Sequence, residues 1–96
     1  MKNPLIKINH DRREVFVRGR ELFLPTKEYA ILEMLIRTNK ALTRDELLKE
    51  IWGHEEDVET RTVDQHVSSL RKKLGSHRNV IKTLPNHGYR YDGAKA

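Results

Sequence analysis

Residues 61–74 have the side-chain spacing of an amphipathic helix, and this pattern restricts the possible folds of the chain more than any other in the sequence. At 100° per residue, four aliphatic side chains share one narrow sector of such a helix: Val63, Val67, Leu70 and Leu74. The opposite sector is polar and basic, with Arg61, Gln65, Ser68, Ser69 and Lys72. The chain must therefore supply other elements that cover the aliphatic side and leave the polar side open.

The polar side of this helix combines short hydroxyl and amide side chains with long cations. Such a surface can approach the edges of DNA bases while its cations reach phosphates. An ordinary solvated helix face is the alternative interpretation. Charge distribution favours the first: residues 60–96 contain eight Lys or Arg and two acidic residues, whereas residues 1–59 contain eleven and twelve. A local basic excess of this kind is typical of a surface that binds a polyanion.

Length and composition exclude several classes of protein. The 96 residues suit a single domain, 1–96, with one modest core. The absence of Cys excludes disulfides and thiolate metal sites and is compatible with a reducing compartment. No apolar run is long enough to span a membrane and no signal peptide is visible, so we expect a cytoplasmic protein without membrane contact by this chain.

Hydrophobic periodicity and turn residues predict the order of the elements. A small antiparallel sheet is expected within about residues 4–24, with a tight turn at Arg18-Gly19. Helices are expected at about 26–38, 43–52 and 60–74, and a hairpin at about 80–91. Thr43 and Glu46 form a capping-box pattern, and Thr60 or Thr62 is expected to cap the third helix.

This order predicts an α+β fold, a winged helix-turn-helix. Its parts are a small N-terminal antiparallel sheet, a three-helix core and a C-terminal β-hairpin wing. In such folds the recognition helix enters the major groove while the hairpin lies on the backbone or in the neighbouring minor groove. Phe23, Tyr29 and Trp52 occupy apolar-periodic positions and are predicted to be core residues, not base-stacking platforms.

The chain also resembles the DNA-binding domain of OmpR/PhoB-type response regulators over nearly its whole length. The resemblance is carried by Gly19-x-x-Leu22-x-Leu24, Glu28-Tyr29-x-x-Leu32, Leu42-Thr43-Arg44-x-x-Leu47-Leu48, Trp52-Gly53, Arg61-Thr62-Val63-Asp64-x-His66-Val67, Leu70-Arg71-Lys72-Lys73-Leu74, Ile81-Lys82-Thr83 and Gly88-Tyr89-Arg90. No single motif would be specific, but their order and spacing together are.

The resemblance implies a transcription regulator that binds double-stranded DNA at tandem direct repeats. It implies two protomers arranged head to tail on the DNA and a monomer in solution. It also implies that the linker after the second helix contacts RNA polymerase. That linker is acidic, with Glu55, Glu56, Asp57 and Glu59. A solubilising loop is an equally weighted interpretation of the same residues.

The positions that match the family's motifs give a set of candidate DNA contacts. The base-proximal candidates are Arg61, Gln65, Ser68 and Ser69. The phosphate candidates are Thr62, His66, Arg71, Lys72, Lys73, Thr83, Tyr89 and Arg90. Asn86 and His87 form the wing tip, where the family commonly has Val-Arg-Gly-x-Gly-Tyr, so the expected cation is missing and we expect a smaller contribution from the wing.

Other functions find less support in the residues. The five His residues include no pair at helical i, i+4 spacing and there are no Cys ligands, so no metal site, cofactor or small-molecule substrate is predicted. Ser69 and His66 lack an orienting acid and an oxyanion site, so the chain is not expected to be an enzyme. The remaining alternative is a winged-helix module that docks a protein partner, such as RNA polymerase or a regulatory complex, with little DNA specificity of its own.

Overall fold

The computed structural model describes residues 5–53, 55 and 57–93. Its elements, in chain order, are β1 (Ile6–Asn9), β2 (Glu14–Val17), β3 (Arg20–Leu22), α1 (Thr26–Thr38), α2 (Arg44–Trp52), α3 (Thr60–Leu74), a 3-10 helix (Gly75–Val80), β4 (Ile81–Leu84) and β5 (Gly88–Tyr91). The predicted fold class is confirmed, because three helices lie between a three-stranded antiparallel sheet and a two-stranded hairpin.

The N-terminal sheet has the strand order β1-β2-β3, with Ile8, Val15 and Leu22 in register. Arg18 and Gly19 both have positive φ angles, 50° and 81°, as a two-residue hairpin turn with the right twist requires. The prediction that Phe23 belongs to the core is wrong, since this side chain is 79% exposed. Leu22 and Leu24 pack against the core, and the alternation of an extended chain turns Phe23 between them to the opposite side.

The ends of the helices follow from local residues, with one exception. Asn39 ends α1 in the left-handed conformation, and Thr43 with Glu46 forms the complete capping box of α2. The prediction that Thr60 or Thr62 caps α3 is wrong. The N-cap is Glu59, which makes no side-chain cap, and its carbonyl accepts the Thr62 N–H at 2.9 Å. The N-cap position lies one residue before Thr60 and three before Thr62, so both threonines are inside the helix.

The core lies between the three helices and the hairpin. The aliphatic side of α3 is at most 4% exposed, and it packs against α1 and α2. The largest fully buried side chains come from β2, the three helices, the segment between α1 and α2, the 3-10 helix and β4: Val15, Ile31, Leu32, Leu35, Leu42, Leu47, Val63, Val67, Leu70, Val80 and Ile81. Tyr29 and Trp52 are core residues as predicted, each 7% exposed.

The wing, β4 with β5, is joined to the segment between α1 and α2 by backbone hydrogen bonds. The Leu42 N–H donates to the Tyr89 carbonyl at 2.9 Å, and the Tyr89 N–H donates to the Leu42 carbonyl at 3.0 Å. Gly88 makes this approach feasible: its φ is +147°, and a Cβ there would lie 2.0 Å from the Leu42 oxygen. The position therefore accepts only glycine.

A carboxylate on α3 fixes the same wing by side-chain contacts. Asp64 Oδ1 accepts hydrogen bonds from the Tyr89 hydroxyl at 2.7 Å and from Arg44 Nε at 3.0 Å, while Arg44 Nη2 reaches Asp64 Oδ2. Burial of the phenol, together with its hydrogen bond to the Asp64 carboxylate, raises the pKa of Tyr89 to about 12. Asp64 thus connects α2, α3 and β5.

Replacing Gly88 with Ala should destabilise the protein by more than about 2 kcal/mol, because the methyl group collides with the Leu42 backbone and the φ is strained. Urea unfolding measures the effect. Gly19→Ala is the matched control, since Gly19 also has a positive φ but has nothing within 4 Å of the added Cβ. Equal losses of stability in the two variants would show that the close approach at Gly88 is unimportant.

Tyr89 should make stability fall at high pH. Its folded-state pKa of about 12 lies above the unfolded value near about 10, so the stabilising contribution is complete below about pH 10 and is lost as pH rises to about 12. Unfolding free energies of wild type and Tyr89→Phe, measured across this range, isolate the contribution of this phenol. We expect the wild type to lose more stability than the variant; parallel curves would contradict the assignment.

Candidate nucleic-acid interface

Four side chains form an exposed row along α3: Arg61, Gln65, Ser68 and Lys72. They follow one another at i, i+4, i+7 and i+11, opposite the buried aliphatic residues, so the core itself keeps this row in solvent. Neither Arg61 nor Lys72 forms an ion pair with an acidic residue in the part of the chain that the structure describes. The row is therefore free to meet a ligand.

Ser69 and Lys73 do not belong to this row. Ser69 Oγ donates to Glu28 Oε2 at 3.2 Å, and Lys73 Nζ lies 3.0 and 3.2 Å from the two carboxylate oxygens of Glu28 and 2.9 Å from Ser69 Oγ. Glu28 is only 5% exposed, and a buried carboxylate requires such partners. The prediction that Ser69 points outward is therefore wrong, because this residue is half-buried against α1.

The sequence contains a signal for this ion pair that our interpretation of α3 did not use. Glu28 shares the i, i+3, i+4 and i+7 positions of α1 with Ile31, Leu32 and Leu35, which form the buried side of that helix. An acidic residue on a buried helix side predicts a cation on the element packed against it. Lys73 is that cation, and Ser69 completes the hydrogen bonds.

Thr62 and His66 lie on a side of α3 that is half-buried. His66 Nδ1 is 2.8 Å from the Thr62 carbonyl, and the imidazole meets the Trp52 ring edge to face with centroids 5.0 Å apart. These contacts hold the His66 ring in one orientation against the end of α2. Its predicted role as a phosphate contact would use the remaining ring nitrogen.

Arg71 connects α3 to the wing. Its Nη2 donates to the Ile81 carbonyl at 2.6 Å and to Thr83 Oγ1 at 2.8 Å, and the guanidinium carbon is 5.6 Å from the centre of the Tyr89 ring. Tyr89 is 7% exposed, and its hydroxyl is committed to Asp64. Two of the predicted phosphate candidates, Arg71 and Tyr89, thus have partners inside the protein, whereas Thr83 is exposed.

At the wing tip, Asn86 and His87 are exposed, and Asn86 adopts the left-handed conformation with a φ of 61°. Arg90 is also exposed, with Nη2 3.8 Å from Asp92 Oδ2. Along the hairpin Arg90 lies directly opposite Lys82, a residue that our sequence interpretation did not select. The Lys and Arg side chains of the wing therefore lie on its strands and not at its tip.

The linker between α2 and α3 exposes Glu55, Asp57 and Glu59, while the predicted contact Glu56 lies outside the described residues. Glu55 pairs with Lys27 Nζ at 3.3 Å. The same ammonium donates to the Ile51 carbonyl at 3.2 Å and lies 5.3 Å from the centre of the Trp52 ring. Lys27 thus fastens the start of the acidic linker to α1, a contact between residues too distant in the chain to be predicted.

Within the described ranges, no group of three or more His, Asp or Glu side chains is arranged to hold a metal ion. None of the described helices is long and apolar enough to cross a membrane.

The chain is similar in sequence to transcriptional regulatory proteins. Residues 19–91 match the family described as transcriptional regulatory protein, C terminal. The transcriptional regulatory protein CutR of Streptomyces coelicolor is 43% identical over 86 residues, which cover 88% of this chain and 39% of CutR. The chain thus spans well under half the length of this relative.

Two solved structures are closely similar. The DNA-binding domain of the response regulator AdeR, solved in complex with an intercistronic region, superposes with a TM-score of 0.83 at 33% identity, covering 97% of this chain and 99% of that one. The response regulator DrrB of Thermotoga maritima, an OmpR/PhoB homolog, gives a TM-score of 0.83 at 33% identity over 97% of this chain and 44% of its own.

The family consists of transcription regulators and not enzymes, in agreement with the absence of catalytic groups predicted from the sequence. The matched residues extend from the turn before β3 to the end of β5 and include all of α3. With its winged-helix fold and its exposed row on α3, the chain belongs to the C-terminal domain family of OmpR/PhoB-type transcriptional regulatory proteins.

Proposed function

We propose that this chain binds double-stranded DNA sequence-specifically, with α3 in the major groove and the wing on the adjacent backbone or minor groove. The observation that carries the proposal is the exposed row Arg61, Gln65, Ser68 and Lys72. At about 1.5 Å per residue it extends for roughly 16 Å along the helix, enough to follow several base edges in a groove about 12 Å wide. The similarity to AdeR supports this arrangement.

The proposed roles follow the environment of each side chain. Arg61, Gln65 and Ser68 read base edges, and Lys72 reaches the backbone with Thr83 and Arg90. Arg71 and Tyr89 act chiefly by positioning the wing, since Arg71 Nη2 and the Tyr89 hydroxyl are bonded within the protein. The remaining phosphate candidates, Thr62, His66 and Lys73, contribute only through the atoms that their internal contacts leave free, and Ser69 chiefly orients Lys73.

We propose that two copies bind tandem direct repeats in a head-to-tail arrangement. In solution, without DNA, the protein is proposed to be a monomer. Two sites one helical turn apart place equivalent points about 34 Å apart. The protein measures 42 × 29 × 22 Å, so two copies touch when the long axis follows the DNA and remain apart when a shorter axis does. Where two copies on a direct repeat touch, the contact joins two different surfaces of the same protein.

The cytoplasm is the proposed location.

The acidic linker supports a contact with RNA polymerase. Glu55, Asp57 and Glu59 expose carboxylates that DNA repels, and the anchoring of Glu55 by Lys27 keeps one end of the linker in place. A basic surface on the polymerase is its proposed partner. The alternative function is a module that docks protein with little DNA specificity and binds its partner through α3 or the linker. The cations Arg61 and Lys72 of the exposed row, which form no ion pair within the described residues, suit a polyanion better than such a partner.

Selection of bound duplexes from a randomised pool, at two salt concentrations, tests DNA recognition. We expect enrichment of a direct repeat with a period of about one helical turn and an affinity that falls steeply with salt. Gln65→Glu should lower affinity at least about tenfold, since it places a carboxylate among base-edge acceptors and phosphates. Fluorescence anisotropy with the selected duplex measures the loss.

The matched control is Thr26→Glu, which adds the same charge at an exposed residue of α1, outside α3 and the wing. It should bind nearly as well as wild type. Undiminished binding by Gln65→Glu would refute the placement of α3 in the groove. Absence of salt-sensitive duplex binding by wild type would favour the protein-docking alternative.

The linker is tested with the double variant Asp57→Asn and Glu59→Gln. It should bind the selected duplex as wild type does but recruit purified RNA polymerase to that duplex severalfold less well, because two exposed carboxylates are removed. The control is Asp11→Asn with Glu21→Gln, which neutralises two exposed carboxylates of the N-terminal sheet region. Equal recruitment by both double variants would identify the linker as a solubilising loop.

A further inference from the structure

We propose that the groove between α3 and the wing is a binding site for a DNA backbone phosphate, with Arg78 and Lys82 as its principal cations. The proposal rests on the proposed function and adds two residues to it. Three elements line the groove, namely α3, the 3-10 helix and β4, through Ser68, Lys72, Arg78, Asn79, Lys82 and Thr83. It lies directly beside the exposed row of α3, with which it shares Ser68 and Lys72.

The cations of this groove are not neutralised within the described residues. Lys72, Arg78 and Lys82 form no ion pair with any acidic side chain of residues 5–53, 55 and 57–93. One carboxylate, that of Asp64, does line the groove, but Arg44 and the Tyr89 hydroxyl already bind it. The field in the groove is therefore positive, and an anion would be attracted to it.

The wing adds a second, independent observation. Lys82 and Arg90 lie directly opposite each other in the register of β4 and β5. Arg90 is paired with Asp92 at 3.8 Å, whereas Lys82 forms no ion pair within the described residues. A phosphate bound beside Lys82 would supply the negative charge that this cation lacks within the protein. The arrangement thus favours a ligand that brings negative charge to the base of the wing.

Neutral donors in the same groove suit a phosphate oxygen. Thr83 Oγ1 accepts a hydrogen bond from Arg71 Nη2 at 2.8 Å, which leaves the Thr83 hydroxyl proton available to donate. Ser68 and Asn79 supply a further hydroxyl and an amide and are both exposed. Hydroxyl, amide and cationic donors together are the groups that proteins commonly direct to DNA phosphates.

The position of the groove explains how a wing without a cation at its tip can hold DNA. Pro85, Asn86 and His87 carry no permanent charge at the tip, whereas Lys82 and Arg78 lie at its base. With α3 in the major groove, the strand that separates it from the next minor groove passes between helix and wing. The backbone is then held at the base of the wing instead of its tip.

The test is the salt dependence of binding to the selected duplex by Arg78→Gln, Lys82→Gln and the double variant. Each lost phosphate contact should reduce the slope of log affinity against log salt by about one, so the double variant should lose about two. Affinity should fall alike for the selected duplex and for a scrambled one, because phosphates carry no sequence information. Arg20→Gln, an exposed cation of β3, is the control and should leave the slope unchanged.

Urea unfolding of the same variants separates binding from folding. Lys82→Gln should be about as stable as wild type, since Lys82 forms no ion pair within the described residues that the change could break. If wild type binds no duplex, the proposed function fails and the phosphate site with it. If wild type binds its duplex but Arg78→Gln and Lys82→Gln keep its slope, only the phosphate site is overturned.

Discussion

Burial of one side of α3 is the constraint on which the rest of the structure depends. Val63, Val67, Leu70 and Leu74 are at most 4% exposed, and α1 and α2 pack against the helix that carries them. A helix has only one side opposite its buried side, so this packing decides that Arg61, Gln65 and the residues in line with them face solvent. The hydrophobic effect, which buries the aliphatic side of α3, thus also determines where its polar side lies, without any direct interaction between the two sides.

Two carboxylates then hold the position of α3 about its own axis. Glu28 binds Lys73 and Ser69 on one side, and Asp64 binds Arg44 and Tyr89 on the other. Each network joins segments far apart in the chain. Loss of Lys73 would leave the buried Glu28 carboxylate poorly satisfied, whereas Asp64 and Arg44 are partly exposed and water can replace a lost partner. Such contacts specify geometry more than they add stability. Several polar side chains that the sequence offered as candidate DNA contacts, such as Lys73 and Tyr89, are consequently bonded within the protein.

Around α3, exposed cations and exposed carboxylates lie on different surfaces of the domain. The exposed cations Lys72, Arg78 and Arg90 lie on or beside α3 and the wing, whereas the linker between α2 and α3 exposes Glu55, Asp57 and Glu59. One surface attracts a polyanion and the other repels it. Under the proposed function, this separation would direct DNA and a protein partner to different surfaces of the domain.

The sequence by itself determined the elements of this protein, because periodicity, the Thr43 capping box and the turn residues at Gly19 and Asn39 act over only a few residues. It also contained the motifs that identify the family. The tertiary structure decided which polar side chains remain available. Ser69 satisfies the helical pattern of an outward residue but is bonded to Glu28, 41 positions away. Arg78 and Lys82 line one groove together with Ser68 and Lys72 of α3 because the 3-10 helix and β4 lie beside that helix. These outcomes depend on contacts between distant segments, which local patterns do not encode.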